Sequence, residues 1–346
     1  MNAGVLVIHF GEPPSPDPAT VESYLTNIFY QNADLEGATT DEEARNRARE
    51  LARHRAPGLI AEYEAIDGSP LNHQAQEQAD ALSRVIETRL EAVPVEVAFQ
   101  FMDPTIETGI ESLRAAGVDQ LVPLPIYPLC GPSTTVAALE TVQELTANQA
   151  MTVAPISGWH RHPRYLQLRV ANIRRFVDSH SFSLHDPDTT LLFSAHGTPI
   201  HYLENGSRYQ RYVEEVCSAL AGLLGIETYE LGYQNHRNRD IPWTEPDLED
   251  VIERIDTDRV IVEPVSFMHE QSETLAELDL DAAEDAEAAG LNFYRVPIPH
   301  DDEAFPELLA DVVEPFIADV DPALYQLRAC ECAASANASC LNAPRS

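Results

Sequence analysis

His196 closes an apolar run that reads Leu191-Leu192-Phe193-Ser194-Ala195-His196-Gly197-Thr198-Pro199. The run predicts a strand, and the Gly and Pro predict its end, so the imidazole stands at a strand's carboxyl end, at the mouth of a cleft. A histidine titrates near neutral pH and can take and return protons there. The plainer alternative is a histidine that only hydrogen-bonds its own loop. A second stretch, Val265 to Asp279, carries Glu270, Glu273 and Glu277 at spacings of three and four. On a helix these share a face, which is unfavourable unless a proton or cation bridges them. Such a row could pass a hard divalent cation from solvent toward a cleft, with His269 beside it. The alternative is a solvated acidic face.

The five cysteines are Cys130, Cys217, Cys330, Cys332 and Cys340. An odd number argues against a disulfide framework. Three fall within eleven residues at the C-terminus, a clustering that suits zinc or iron–sulfur ligation; a frayed, reduced tail is the alternative. Cys217 lies in an amphipathic stretch and reads as a small core residue.

The elements that must position these residues follow from apolar periodicity. Strands are expected at Val5–Phe10, Val95–Phe101, Gln120–Leu124 and Met151–Ile156, then at Thr190–Ala195, Thr228–Gly232, Arg259–Pro264 and Asn292–Val296. Helices are expected at Thr20–Ile28, Glu42–His54, Asn72–Glu91, Thr105–Ala116, Arg164–Asp178, Tyr209–Leu224, Leu248–Ile255, Glu273–Ala289 and Ala304–Val320. This alternation implies an α/β fold of two doubly wound parallel-sheet domains. The expected organisation is an N-terminal domain over residues 1–155, a C-terminal domain over 156–320, and a cysteine-containing tail over 321–346 that packs back on the first domain. Ligands of open α/β sheets bind beyond the strands' carboxyl ends. Neither a dinucleotide-binding glycine fingerprint nor a Walker motif is present.

The chain has 346 residues and a formal net charge of −35, and its 22 basic residues are all Arg. Such a surface repels phosphates, so nucleic acid is not an expected partner. An acid excess spread along a Lys-free chain is expected of a cytoplasmic protein working in high salt. No apolar run is long enough for a transmembrane helix, and the N-terminus lacks the features of a signal peptide.

Taken together, SAHGTP after one strand and Phe267-x5-Glu273-Thr274-Leu275-x-Glu277-Leu278-Asp279 after a later one resemble ferrochelatase, the family that inserts ferrous iron into porphyrin. Val7 to Pro13, Tyr24 to Phe29, Gly68-Ser69-Pro70-Leu71, Pro125-Ile126-Tyr127-Pro128 with Ser133-Thr134-Thr135, Tyr233-Gln234 and Pro242-Trp243 agree in order and spacing. The resemblance spans about residues 4–318 and implies two flavodoxin-like, chelatase-type domains facing a cleft. It implies that His196 and Glu273 are catalytic and contact the metal from opposite faces of the macrocycle, with Glu270, Glu277 and His269 on a metal path. It implies a porphyrin pocket lined by Phe10, Ile28, Phe29, Tyr30, Tyr127, Ser133 and Trp243, with porphyrin and Fe²⁺ as substrates. It also implies a [2Fe–2S] cluster on Cys130, Cys330, Cys332 and Cys340. Contact with a membrane surface or another heme-pathway enzyme is expected to be weak at this charge.

Three positions depart from the family pattern. Gln271 stands where many members have His, Gln100-Phe101 stand for Arg-Tyr, and Phe10 offers no ligand where the coproporphyrin-using branch often has Tyr. Phe10 and the apolar lip favour protoporphyrin over coproporphyrin. Arg161 and Arg208 are candidates for the propionates. A chelatase inserting cobalt or nickel into another tetrapyrrole, or a non-catalytic porphyrin-binding protein, remains open at this point.

Overall fold

A computed structural model describes residues 2–33, 40–90, 92–235 and 241–318, together with the backbone of 328–329 and 339–340. The first sheet contains β1 (Ala3–His9), β2 (Val95–Phe99), β3 (Gln120–Pro125) and β4 (Thr152–Val153) in the order β2-β1-β3-β4. The second contains β6 (Thr189–His196), β7 (Glu230–Gln234), β8 (Arg259–Pro264) and β9 (Asn292–Arg295) in the order β7-β6-β8-β9. All pairings in both are parallel. Every residue of β1 is buried, as expected of a parallel strand covered on both faces. A third, small sheet joins β5 (Ile156–Gly158) to β11 (Ser339–Cys340) and β10 (Arg328–Ala329).

The helices are α1 (Pro18–Gln31), α2 (Asp41–Ala65), α3 (Leu71–Arg89), α4 (Ile106–Ala115), α5 (Ala137–Thr146), α6 (Pro163–Ser179), α7 (Ile200–Glu204), α8 (Tyr209–Leu224), α9 (Leu248–Arg254), α10 (Ser272–Leu275), α11 (Ala283–Ala288) and α12 (Ala304–Ile317). One apolar core runs through both sheets: Val5, Val97 and Val122 belong to the same cluster as Phe193 and Ile261, with α3, α6, α8 and α12 between. The chain's last long helix returns to the first sheet's side, where Gln120 donates to Phe316 O (2.8 Å) and Arg89 of α3 pairs with Asp311 (2.6 Å).

Three element expectations need correction. The strand expected at Met151–Ile156 is two short strands, β4 and β5; Pro155 between them has no N–H to give a ladder. The helix expected to end at His54 continues to Ala65 through Pro57. The single helix expected over Glu273–Ala289 is α10, a π-helical segment Glu277–Ala282, and α11. Such π segments are frequent at functional sites because an extra residue re-aims the side chains around it.

Both sheets have the flavodoxin-like order, in which the switch point lies between the first and third strands of the sheet, beyond their carboxyl ends. The four segments leaving β1, β3, β6 and β8 therefore converge on one cleft.

Candidate active site

The cleft encloses about 1640 Å³ of space, part of it open to solvent. Its apolar side is made by Phe10, Leu25, Ile28, Phe29 and Leu129, its polar side by residues that follow the switch-point strands. Phe10 packs edge-on against Phe101 at 4.6 Å between ring centres. Gly11 has φ +82°, and a Cβ there would meet Phe99 at 2.7 Å; only glycine lets the chain turn here into the cleft.

His196 is the last residue of β6 and lines the cleft. Its Nδ1 lies 2.6 Å from Gly197 O. That bond puts the proton on Nδ1 and the lone pair on Nε2. Burial lowers its pKa, so the ring is neutral near pH 7 and can accept a proton or a metal ion. Its backbone is held by Ser266 Oγ and Tyr209 OH, each at 3.0 Å.

Glu273 lies in α10 and lines the same cleft. Its Oε2 accepts from Gln271 Nε2 at 2.7 Å. Gln271 therefore orients the carboxylate without being able to exchange protons with it. Gln234, paired with His196 in the β6–β7 register, ties the end of β6 to α10 and the π segment after it. Its Nε2 donates to Glu273 O and to Glu277 Oε2, both at 2.9 Å, and its Oε1 accepts from Ser194 Oγ at 2.8 Å. Glu277 lines the cleft, and burial, followed by the neighbouring Glu273 charge, raises its pKa to about 8.

Glu12 and His9 are among the lining residues that the sequence did not single out as site residues. Glu12, just past β1, is buried and accepts from Ser69 Oγ, from Ser272 N at 3.1 Å and from Ser272 Oγ. Ser272 Oγ also lies 3.3 Å from Glu273 Oε2, so one hydroxyl sits between two carboxyls. Burial, then the Glu273 charge, pushes Glu12 up to about 7. His9, the last residue of β1, is buried, and burial takes its pKa down to about 3. The available signal was a polar residue at the carboxyl end of a strand otherwise made of Ala, Gly, Val, Leu and Ile.

Of the expected pocket residues, Phe10, Ile28, Phe29, Tyr127, Ser133 and Trp243 line the cleft, as does His269. Tyr30 does not: it is 40% exposed on the outer face of α1, where its hydroxyl bonds Asp41. Glu270 also lies outside the lining, because it accepts from Ile298 N at 2.8 Å and pairs with Arg295 at 3.0 Å. The helix on which it was to share a face with Glu273 and Glu277 begins only at Ser272. Gln100, at a departure from the family pattern, accepts from Tyr127 OH at 2.7 Å and donates to Ser133 O. Arg161 pairs with Glu215 away from the cleft, and the arginine among the lining residues is Arg55, paired with Glu62 at 2.7 Å.

Cys130 is buried just past β3 and is not among the lining residues. Cys330 and Cys332 lie outside the described residues, and the backbone of Cys340 pairs with Gly158. Among the described residues, no group of three or more His, Cys, Asp or Glu is placed to hold a metal ion. Also among them, no helix is long and apolar enough to cross a membrane.

The sequence profile of the family described as Ferrochelatase matches residues 2–316. A ferrochelatase of Synechococcus sp. (strain JA-3-3Ab) is 31% identical over 333 residues, 93% of this chain and 95% of that protein. One from Synechococcus sp. (strain RCC307) is 33% identical over 268 residues, 74% of this chain and 68% of that protein. One from Synechococcus elongatus is 33% identical over 258 residues, 71% of this chain and 65% of that protein. Among solved structures, SirB from Bacillus subtilis with Fe³⁺ aligns with a TM-score of 0.55 at 12% identity, covering 93% of this chain and 99% of that one. CbiX, the terminal enzyme of siroheme biosynthesis in denitrifying bacteria, aligns with a TM-score of 0.53 at 15% identity, covering 90% of this chain and 98% of that one. At these identities the structural likeness speaks for the fold.

Proposed function

The chain belongs to the ferrochelatase family, and from that premise we propose how its cleft inserts Fe²⁺ into a porphyrin to give heme and two protons. The observation that carries the reading is the convergence of His196 and Glu273 on one cleft, tied together by Gln234. The macrocycle lies against Phe10, Ile28, Phe29 and Tyr127. Metal insertion requires two pyrrole N–H protons to leave as iron enters. His196, neutral and with its lone pair on Nε2, accepts one of them at one face, and the other leaves to solvent by way of the carboxyls beside Glu273. Glu273 meets the metal from the other, and imidazole and carboxylate are both acceptable ligands to Fe²⁺.

Glu12 and Glu277 flank Glu273 with pKa values near neutrality, where an acid exchanges protons most readily with its surroundings. Among the described residues, the lining carries four carboxyls, Glu12, Glu62, Glu273 and Glu277, against Arg55. That balance draws a cation inward. Together with Phe10 it favours protoporphyrin, with two propionates, over coproporphyrin, with four.

The cysteine tail supports a [2Fe–2S] cluster on Cys130, Cys330, Cys332 and Cys340. The backbone of β11 sets Cys340 beside Gly158, and the next residue, Trp159, donates to Pro128 O, two residues before Cys130. Four thiols are the complement such a cluster takes. Acid-labile sulfide analysis of anaerobically purified protein tests this. The acidic, Lys-free composition supports a cytoplasmic protein in high salt, with only weak membrane contact. The activity itself is tested by heme formation from Fe²⁺ and each porphyrin under exclusion of oxygen.

A further inference from the structure

We propose that the imidazoles of His9 and His269 form a landing site for a divalent metal ion on the inner wall of the cleft. The proposal rests on reading the cleft as the place of iron insertion, and it adds a site that metal occupies before porphyrin is present. The two rings come from different halves of the molecule. His9 ends β1, and His269 lies in the segment that leaves β8. Their centres are 4.6 Å apart, and the planes meet at 74°. Both rings are buried and both line the cleft.

Among the described residues, neither ring nitrogen of His9 has a hydrogen-bond partner, although the residue is only 2% exposed. An imidazole buried without partners costs free energy unless something else meets it. His269 is prepared in the way metal-binding histidines commonly are. Its Nε2 lies 2.6 Å from Gln78 Oε1. The amide of Gln78 is fixed by its own donation to Met268 O and His300 O, at 3.4 and 3.3 Å. Gln78 Oε1 must therefore accept, which puts the His269 proton on Nε2 and the lone pair on Nδ1. The nearby carboxyl-rich lining adds attraction for a cation, and water fills the remaining coordination positions. Two neutral imidazoles suit late first-row divalent ions, Fe²⁺ included. Gln271 offers no imidazole; here the imidazoles arrive from β1 and from two residues upstream of it.

The test is metal binding to the porphyrin-free full chain. Co²⁺ is titrated anaerobically and followed by its visible ligand-field bands, in wild type, His9→Asn, His269→Asn and His196→Ala. The expected result is one site whose affinity falls at least tenfold in His9→Asn and in His269→Asn, and survives in His196→Ala. Unchanged Co²⁺ affinity in folded His9→Asn and His269→Asn overturns the proposal. Should those variants fail to fold, X-ray absorption of wild type with one equivalent of Zn²⁺ decides: two imidazole ligands support the site, and one or none overturns it. Metal binding at this pair without heme formation would instead contradict the ferrochelatase reading. Heme formation with an unchanged KM for Fe²⁺ in both variants would contradict only the landing site.

Discussion

Replacing Glu12 with Gln should remove most of one pH dependence of stability. Glu12 is fully buried between Ser69 and Ser272, and its pKa is raised from 4.5 to about 7. Above pH 4.5 the unfolded chain gives up this proton while the folded chain keeps it. The folded state then binds more protons, so stability falls as pH rises and levels off above pH 7. Each pH unit is worth about 1.4 kcal/mol, and the interval gives a loss of about 3 kcal/mol in wild type. Gln does not titrate, and its amide oxygen can still accept from Ser272 N. Urea unfolding of wild type and Glu12→Gln at pH 5 and pH 8 reads the effect. Glu273 and Glu277 contribute to both proteins, so the difference between the two pH-induced losses isolates Glu12. Most of that loss falls between pH 5 and pH 8, so a difference of about 2.5 kcal/mol is expected. Equal losses in the two proteins would refute the reasoning.

Further outcomes follow from the same geometry. Arg169 is fully buried, pairs with Glu263 at 2.5 Å and donates to Pro264 O and Phe267 O, which pins the segment leading to Glu273. Arg169→Met should cost about 3 kcal/mol or more in chemical denaturation, with part of the loss recovered in Arg169→Met/Glu263→Met, because an unpaired buried charge costs more than an apolar replacement. The apparent KM for Fe²⁺ should fall between pH 6 and pH 8 as Glu12 and Glu277 lose protons; steady-state kinetics across that range checks it, and a rise contradicts it. Tyr30→Ala, on the outer face of α1, should leave porphyrin affinity unchanged and stability within about 0.5 kcal/mol, read by fluorescence quenching and urea unfolding.

Much of the fold was legible because parallel strands buried on both faces read as continuous apolar runs. The strand starting at Arg259 begins and ends as its Val-Ile-Val run implies, and His196 closes its strand because Gly197 follows; a Cβ there would strike Asn235. Helix α5 was not legible, since Gly131-Pro132-Ser133-Thr134-Thr135 reads as loop, whereas the chain coils there as a π turn into the helix. The break at Glu277 was likewise hidden: apolar spacing over Glu273–Ala289 fits one helix, and only packing around Glu273 and Gln234 selects the π segment. That His196, Glu273 and Glu277 come to line one cleft was legible from motif and spacing. Glu12 and His9 were not, because their burial beside Ser272 and His269 joins residues some 260 positions apart, which spacing along the chain cannot show. Glu270 misled for the opposite reason: its partner Arg295 lies on β9, outside the motif.

The most direct measurement compares wild type with His196→Ala, purified anaerobically in high salt, for heme formation from Fe²⁺ with protoporphyrin and coproporphyrin side by side. The expected result is heme formed by wild type, faster from protoporphyrin, and a collapse of turnover in His196→Ala while porphyrin binding persists. Turnover that survives in His196→Ala would contradict the role given to His196, and wild type that binds porphyrin but inserts no iron would contradict the function itself.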